Sequence, residues 1–319
     1  MATQHTPERI AAEKGMHQFQ VLAAAKQEGR LFNDPLRAVA PVLVSPALAA
    51  KLKLDWLMEA LAQRLPELNI TIMKAPLKGR ERAEEKIYVP KSGRVGDWGE
   101  LKDYARTTLV LPDNSPMDSP NWLKLTSTIR QIFSPRYGFQ LPKDDAKDGK
   151  KTGYTDHNFV FQFGQYHFMI KNVMDNHFLG TPMPPMSESV RTAQYASCFA
   201  EVQINNINMM YAKMSKDTFD EYFPGQYAEY KRKTNVDGAE GHLFYEVIRK
   251  VGEISPEGQR LSKISKDYYE RCRGLNPTPP FPESDPLLLE LTALKRANPP
   301  KPHEPHEQPP VYSYTEEQI

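Results

Sequence analysis

The sequence predicts an α+β fold: a mixed, mostly antiparallel sheet flanked by helices, with a helical region before it and a Pro-rich tail after it. Three observations carry that prediction. The stretch PALAAKLKLDWLMEALAQRL (46–65) repeats apolar residues at helical spacing. Runs such as RTTLVL (106–111) and YTDHNFVFQF (154–163) are short, β-branched and aromatic, the composition of strands. The patterns are also grouped, with helices first, strands in the middle and helices again after residue 215.

Taken in order, residues 1–70 read as a helical region. Leu48, Leu52, Trp56, Leu57, Leu61 and Leu65 fall near one stripe, and Asp34-Pro35 and Ser45-Pro46 look like N-caps followed by proline in the first turn. A domain over 71–274 follows. TIMKAPLKGRERAEEKIY (71–88) holds a dense basic cluster, Lys74, Lys78, Arg80, Arg82 and Lys86. RTTLVL is a strand, and NWLKLTSTIRQIF (121–133) is a helix started by Ser119-Pro120. KDDAKDGKKTG (143–153) reads as a charged loop leading into YTDHNFVFQF, which is expected to form a hairpin with YHFMI (166–170). GTPMPPMSESV (180–190) is a loop, and SCFAEVQIN is a strand that passes into a helix near Asn208. Helical patterns rich in aromatics fill 215–272.

From 275 to 319 the composition changes. Eleven of the chain's 28 prolines lie between Pro277 and Pro310, interrupted by LLLELTALKRA, a possible short helix. Proline at that density builds no core, so the tail is read as a disordered linker or as an arm that docks on the domain or on a partner.

Bulk composition narrows the function classes. The 319 residues balance 41 Lys and Arg against 40 Asp and Glu, so any anionic ligand must be held by a local basic cluster. Two cysteines, Cys198 and Cys272, exclude a disulfide framework and a Cys-x-x-Cys metal site. No apolar run approaches the roughly 20 residues of a membrane span, and the polar N-terminus shows no secretory signal. A cytoplasmic protein, or one delivered into a target cytoplasm, is expected.

Three positions point to chemistry. In AEVQIN, Glu201 and Gln203 share one face of a strand while Val202 and Ile204 share the other. On one strand alone, an ordinary half-exposed strand with polar residues facing solvent is the better reading. Asp103, in ELKDYARTTLVL, stands where a strand begins, with Arg106 as a neighbour it could simply pair with. KKTGYTDHN (150–158) has the flexible basic lead-in, glycine and aromatic of a ligand loop, or of an ordinary loop-to-strand junction. Together they suit phosphoryl-type transfer. Two carboxylates from separate strands can hold Mg²⁺, a hard cation that keeps part of its shell for phosphates, and nearby cations can neutralise the phosphates.

With these elements in order over roughly residues 74–250, the sequence resembles the RelA/SpoT-type nucleotidyltransferase domain of the alarmone synthetases. The carriers are LKGRERAEEKI, LKDYARTTLVL, GYTDHNFVF, AEVQINNINMMYAK and GHLFYEVIRK, of which the Glu-x-Gln-x element is the most specific. The resemblance implies transfer of the β,γ-pyrophosphate of ATP to a ribose 3′-hydroxyl, with AMP released. It implies that Asp103 and Glu201 are catalytic and bind Mg²⁺, with Glu201 as the base. It places Lys78, Arg80, Arg82, Lys86 and Arg106 on ATP, and Lys151, Tyr154, Asn158 and Gln203 at the acceptor, with Tyr154 stacked on its base. Departures from the family pattern are Asn158 in place of a histidine, with His157 on the other face, and Asn205 in place of an arginine. The spacing between Arg82 and Lys86 is also shorter. These place the chain nearer the divergent toxin- or effector-like branch, whose members modify other acceptors, including adenine nucleotides or the 3′ end of tRNA, so the acceptor expected here is a guanine or adenine nucleotide or the 3′ end of tRNA. A neutralising protein partner is implied for such a toxin. A catalytically silent nucleotide-binding or partner-docking module of the same fold is the alternative.

Overall fold

The computed structural model describes residues 46–80, 82–83, 86, 101–112, 116–134, 139–163, 198–274 and 284–298. The caps expected at Asp34 and Ser45, the strand expected over 166–170 and the loop over 180–190 lie outside them.

The elements follow in chain order. Helix α1 (Pro46–Arg64) leads through a single 3₁₀ turn to β1 (Thr71–Lys74); β2 (Ala105–Leu111), α2 (Pro120–Ile132), β3 (Gln140–Asp148), β4 (Thr155–Phe163) and β5 (Cys198–Asn206) follow. Then come α3 (Ile207–Lys213), α4 (Lys216–Tyr222), α5 (Tyr227–Thr234), α6 (Glu240–Val251), α7 (Pro256–Cys272) and α8 (Pro286–Ala297). The five strands form one sheet in the order β1-β2-β5-β4-β3. Only β2 and β5 run parallel, so the sheet is mixed and mostly antiparallel.

Strand alternation divides the sheet into two faces. Leu109 and Leu111 of β2, Val202 and Ile204 of β5 and Phe159 and Phe161 of β4 are buried in one cluster with Leu54, Leu57 and Leu61 of α1 and Trp122, Leu125 and Ile129 of α2. The helical spacing read in 46–65 therefore reports the face that α1 turns to the sheet. Helix α2 starts where Ser119 caps it, its side chain accepting from the Trp122 N–H, with Pro120 in the first turn. Phe133, at the end of α2, stacks on Phe161 at 3.7 Å.

On the opposite face, Met73 and Val110 join a second cluster built from α3 to α8. Of the two readings of the tail, residues 284–298 take the docked one. Leu287, Leu291 and Leu294 of α8 are buried in that second cluster, and Asp285 caps the helix and forms an ion pair with Arg271 of α7.

Two elements differ from the sequence reading. Residues 143–148 are strand and not loop: β3 pairs with β4 over Asp144↔Phe159 to Asp148↔Thr155, so the hairpin forms upstream of YTDHNFVFQF. The charged composition was misleading because β3 is an edge strand. Its ladder uses backbone groups, which leaves most of its side chains in solvent. The hairpin turns through Gly149 and Gly153, both at positive φ (76° and 79°). Gly153 also lies against α7, where a Cβ would meet Lys266 Cα and Tyr269 Cβ at 2.8 Å. The other difference is β1, four residues that carry too short a pattern to separate from the basic segment following them.

Candidate active site

The second sheet face carries the polar residues singled out from the sequence. Parallel pairing sets Arg106 of β2 beside Glu201 of β5, and Thr108 beside Gln203. On the other flank of β5, Val160 opposes Glu201 and Asn158 opposes Gln203. These residues form rows across three strands, because paired residues point to the same side of a sheet. Glu201 and Gln203 are half-buried, while Val202 and Ile204 are buried behind them. Asn158 Nδ2 donates to Glu201 Oε1, so the carboxylate has one orientation fixed by β4.

Asp103 lies two residues ahead of β2, at the same end of the sheet as Glu201. The backbone N–H of Lys78 donates to the Tyr104 carbonyl at 3.0 Å, which ties the basic segment to this point. Lys78 Nζ is 3.0 Å from Asp103 Oδ2, and Lys86 donates to the same oxygen. The expected Asp103–Arg106 pair is therefore replaced by two lysines, and Arg106 is left beside Glu201. Burial pushes the Asp103 carboxyl up, but Lys86 and Lys78 outweigh it and hold it below its ordinary value, so it is ionised at neutral pH. Burial pushes the Lys78 amine down. Arg80, Arg82 and Lys86 have helical backbone and are exposed on the same segment.

Tyr154 stands just after the hairpin turn. Its hydroxyl donates to Asp156 Oδ2 at 2.9 Å and accepts from Lys213 Nζ at 3.0 Å. Tyr269 of α7 packs against the ring at 5.6 Å, and Lys147 Nζ lies 5.4 Å from the ring centroid. Lys151 is exposed and pairs with Glu253 at 3.3 Å. His157 points to the other face, as its place in the alternation requires: it stacks on Phe159 at 4.4 Å and lies 2.5 Å from Asp144.

The structure thus joins Asp103, Lys78 and Lys86 in one cluster and Arg106, Glu201, Asn158 and Gln203 in another. Tyr154 belongs to a third, and Lys151 to none of them. Sequence reasoning missed Lys213 and Asp156, which bond the Tyr154 hydroxyl, and Lys147, which lies over the ring and pairs with Asp156. Asp156 carried a readable signal, since it shares the strand parity of Asn158, whereas Lys213 looked like an ordinary helix-end lysine. No group of three or more His, Cys, Asp or Glu side chains at metal-binding spacing occurs among the described residues.

The candidate site thus combines a polar ladder on two parallel strands, an ionised aspartate beneath two lysines and a basic helical segment alongside. No family model matches the chain. The (p)ppApp synthetase toxin Tas1 of Pseudomonas aeruginosa (strain UCBPP-PA14) is similar to it, with 26% identity over 226 residues covering 70% of this chain and 40% of the toxin. The chain therefore spans less than half the length of that relative. Among solved structures, the complex between the Type VI effector Tas1 and its immunity protein matches with 25% identity, 71% of this chain and 92% of that one covered, and a TM-score of 0.47. The small alarmone synthetase 1 from Bacillus subtilis matches with 13% identity, 70% and 89% coverage, and a TM-score of 0.36. No helix among the described residues is long and apolar enough to cross a membrane.

Proposed function

We propose that the chain is an ATP-dependent pyrophosphokinase that moves the β,γ-pyrophosphate of ATP to the 3′-hydroxyl of a nucleotide, with growth inhibition as the consequence. The observation that carries this reading is Glu201, with Arg106 beside it on β2 and Asn158 Nδ2 donating to it from β4. It gives a half-buried carboxylate held from one side, with a cation on the other.

Glu201 takes the proton of the acceptor's 3′-hydroxyl. The hydroxyl oxygen then attacks the β-phosphorus, the bond to the α–β bridging oxygen breaks, and AMP leaves with that oxygen. Arg106, Lys78, Arg80, Arg82 and Lys86 bind the ATP phosphates and neutralise charge as it develops on the transferred group. Asp103 and Glu201 offer carboxylate oxygens only, a donor set that suits Mg²⁺, whose remaining ligands would be phosphate and water. When bound, that ion supplies Lewis-acid neutralisation of the β- and γ-phosphates. Lys86 is 51% exposed and can leave Asp103 to make room. Tyr154, Gln203, Asn158 and Lys151 complete the acceptor side.

The name of the similar Pseudomonas toxin makes adenine nucleotides the first acceptors to test, with guanine nucleotides and tRNA beside them. A synthetase that inhibits growth must be silenced in the cell that makes it, so a neutralising protein partner and delivery to a target cytoplasm belong to the proposal. The test is AMP release from Mg·ATP across that acceptor panel. Wild type is expected to release AMP with at least one nucleotide, and Asp103→Ala and Glu201→Ala to release none. A wild type that releases no AMP with any acceptor removes the enzymatic reading.

A further inference from the structure

Around Tyr154 the structure gathers polar groups that the proposed transfer does not use. Asp156 is completely buried, and Lys147 Nζ lies 3.2 Å from its Oδ1. Asn205 is equally buried, one strand away on β5. Lys213 ends α3, the helix that begins directly after β5 and is capped by the Asn206 side chain. That connection makes Lys213 a link between the strand carrying Glu201 and the ring of Tyr154.

The geometry of the contact is specific. Lys213 Nζ is 3.0 Å from the Tyr154 hydroxyl but 5.0 Å from the ring centroid, so it approaches the hydroxyl end and does not cover the ring face. The same hydroxyl donates to Asp156, and the two bonds fix its direction from opposite partners. Tyr269 supports the ring from α7, and Gly153 holds the turn before it against the same helix. Among the described residues, the Lys213 bond joins the ring to the helix that follows the Glu201 strand, and Asn205 of that strand also lies beside the hydroxyl.

We propose that Lys213 is a positioning residue: through the Tyr154 hydroxyl it sets the ring that receives the acceptor's base at a fixed distance and angle from the Glu201 strand. This rests on the proposed transfer and on Tyr154 as the acceptor's stacking platform. Burial pushes the Lys213 amine down to about 8, with Asp156 opposing and Arg106 and Lys147 adding to the shift. At neutral pH it therefore still carries the proton it donates.

The test is a double-mutant cycle of Lys213→Met and Tyr154→Phe in the full chain, with ADP as the varied acceptor and ATP saturating. Each single variant is expected to raise the KM for ADP about tenfold, the loss of one charge-assisted hydrogen bond, with kcat within about threefold and the KM for ATP unchanged. The double variant is expected to be no worse than the worse single, because both remove the same bond. Lys213→Arg is expected to recover most of the ADP affinity. The inference is overturned if Lys213→Met leaves the KM for ADP unchanged, or if the two effects multiply. Lys213→Gln, which keeps a donor, replaces the Met variant if that one does not fold. Should wild type release no AMP, the proposed transfer fails by itself. The same cycle is then read as the Kd for ADP by calorimetry, where equal affinity of wild type and Lys213→Met, or no ADP binding at all, overturns the inference.

Discussion

Asp285→Ala tests whether the C-terminal helix belongs to the folded domain. The Asp285 carboxylate is 1% exposed and meets the Arg271 guanidinium, itself 7% exposed, through two nitrogens, one of them at 3.0 Å. It also accepts from the Leu287 N–H at 3.1 Å, which caps α8, and from Asn235 at 3.3 Å. Removing one partner of a buried pair strands the other charge, a cost of about 3–5 kcal/mol, and losing the cap adds about 1 kcal/mol. The total is a large part of the 5–15 kcal/mol that typically holds a domain folded, so the chain has two responses. Either the whole domain is destabilised by about 4 kcal/mol, or α8 undocks so that Arg271 reaches water and Leu287, Leu291 and Leu294 are exposed. Urea unfolding reads the first, and tryptic cleavage after Lys295 or Arg296 reads the second. Asp285→Asn, which keeps the cap, is expected to fall between wild type and the alanine variant. Burial pushes the Asp285 carboxyl up, but Arg271 more than offsets this and holds it below its usual range. A depressed carboxylate contributes stability above its unfolded pKa of about 4 and loses it as the pH falls through the folded value. The gap between wild type and Asp285→Ala is therefore expected to narrow below about pH 4. A change under about 1 kcal/mol, with unaltered cleavage, would refute the reasoning.

Other expectations follow from the same structure. Lys53 of α1 is 8% exposed, and burial alone lowers its amine from 10.5 to about 8. The folded chain then binds fewer protons than the unfolded one between about pH 8 and 10.5, so stability rises with pH across that window. Lys53→Met is expected to stabilise by up to about 3 kcal/mol at pH 7 and by little at pH 10.5, as measured by chemical denaturation at the two values. Burial raises the Cys272 thiol to about 12, so it stays protonated at pH 8 and is expected to resist alkylation in the native protein and react once unfolded, as mass spectrometry would show. Chelation of divalent cations is expected to abolish AMP release and added Mg²⁺ to restore it. Asp103→Asn is expected to raise the Mg²⁺ concentration needed for half-maximal rate, and an unchanged requirement would remove Asp103 from the metal site.

Much of the candidate site's geometry was legible because it lies on strands. Period-two alternation separates Glu201 and Gln203 from Val202 and Ile204 without any knowledge of neighbours, and it sends His157 and Asn158 to opposite faces. Partners were not legible. Asp103 finds Lys78 and Lys86, 25 and 17 positions upstream, and not the near Arg106, because the basic segment crosses the approach to β2. The edge strand β3 looked like a loop because backbone pairing places no demand on side-chain polarity.

By itself the sequence determined the α+β class, the helix at 46–64, the capped helix after Ser119 and the strand carrying Glu201. Periodicity and capping are local, and each depends on residues within a few positions of one another. Only the tertiary structure decided that β2 and β5 lie side by side, so that Arg106 flanks Glu201. It alone decided that Lys213 closes on Tyr154 and that α8 completes the second core instead of trailing free. These outcomes depend on register and on packing between distant segments, and pairwise contact over such separations leaves no periodic trace in one chain's residues.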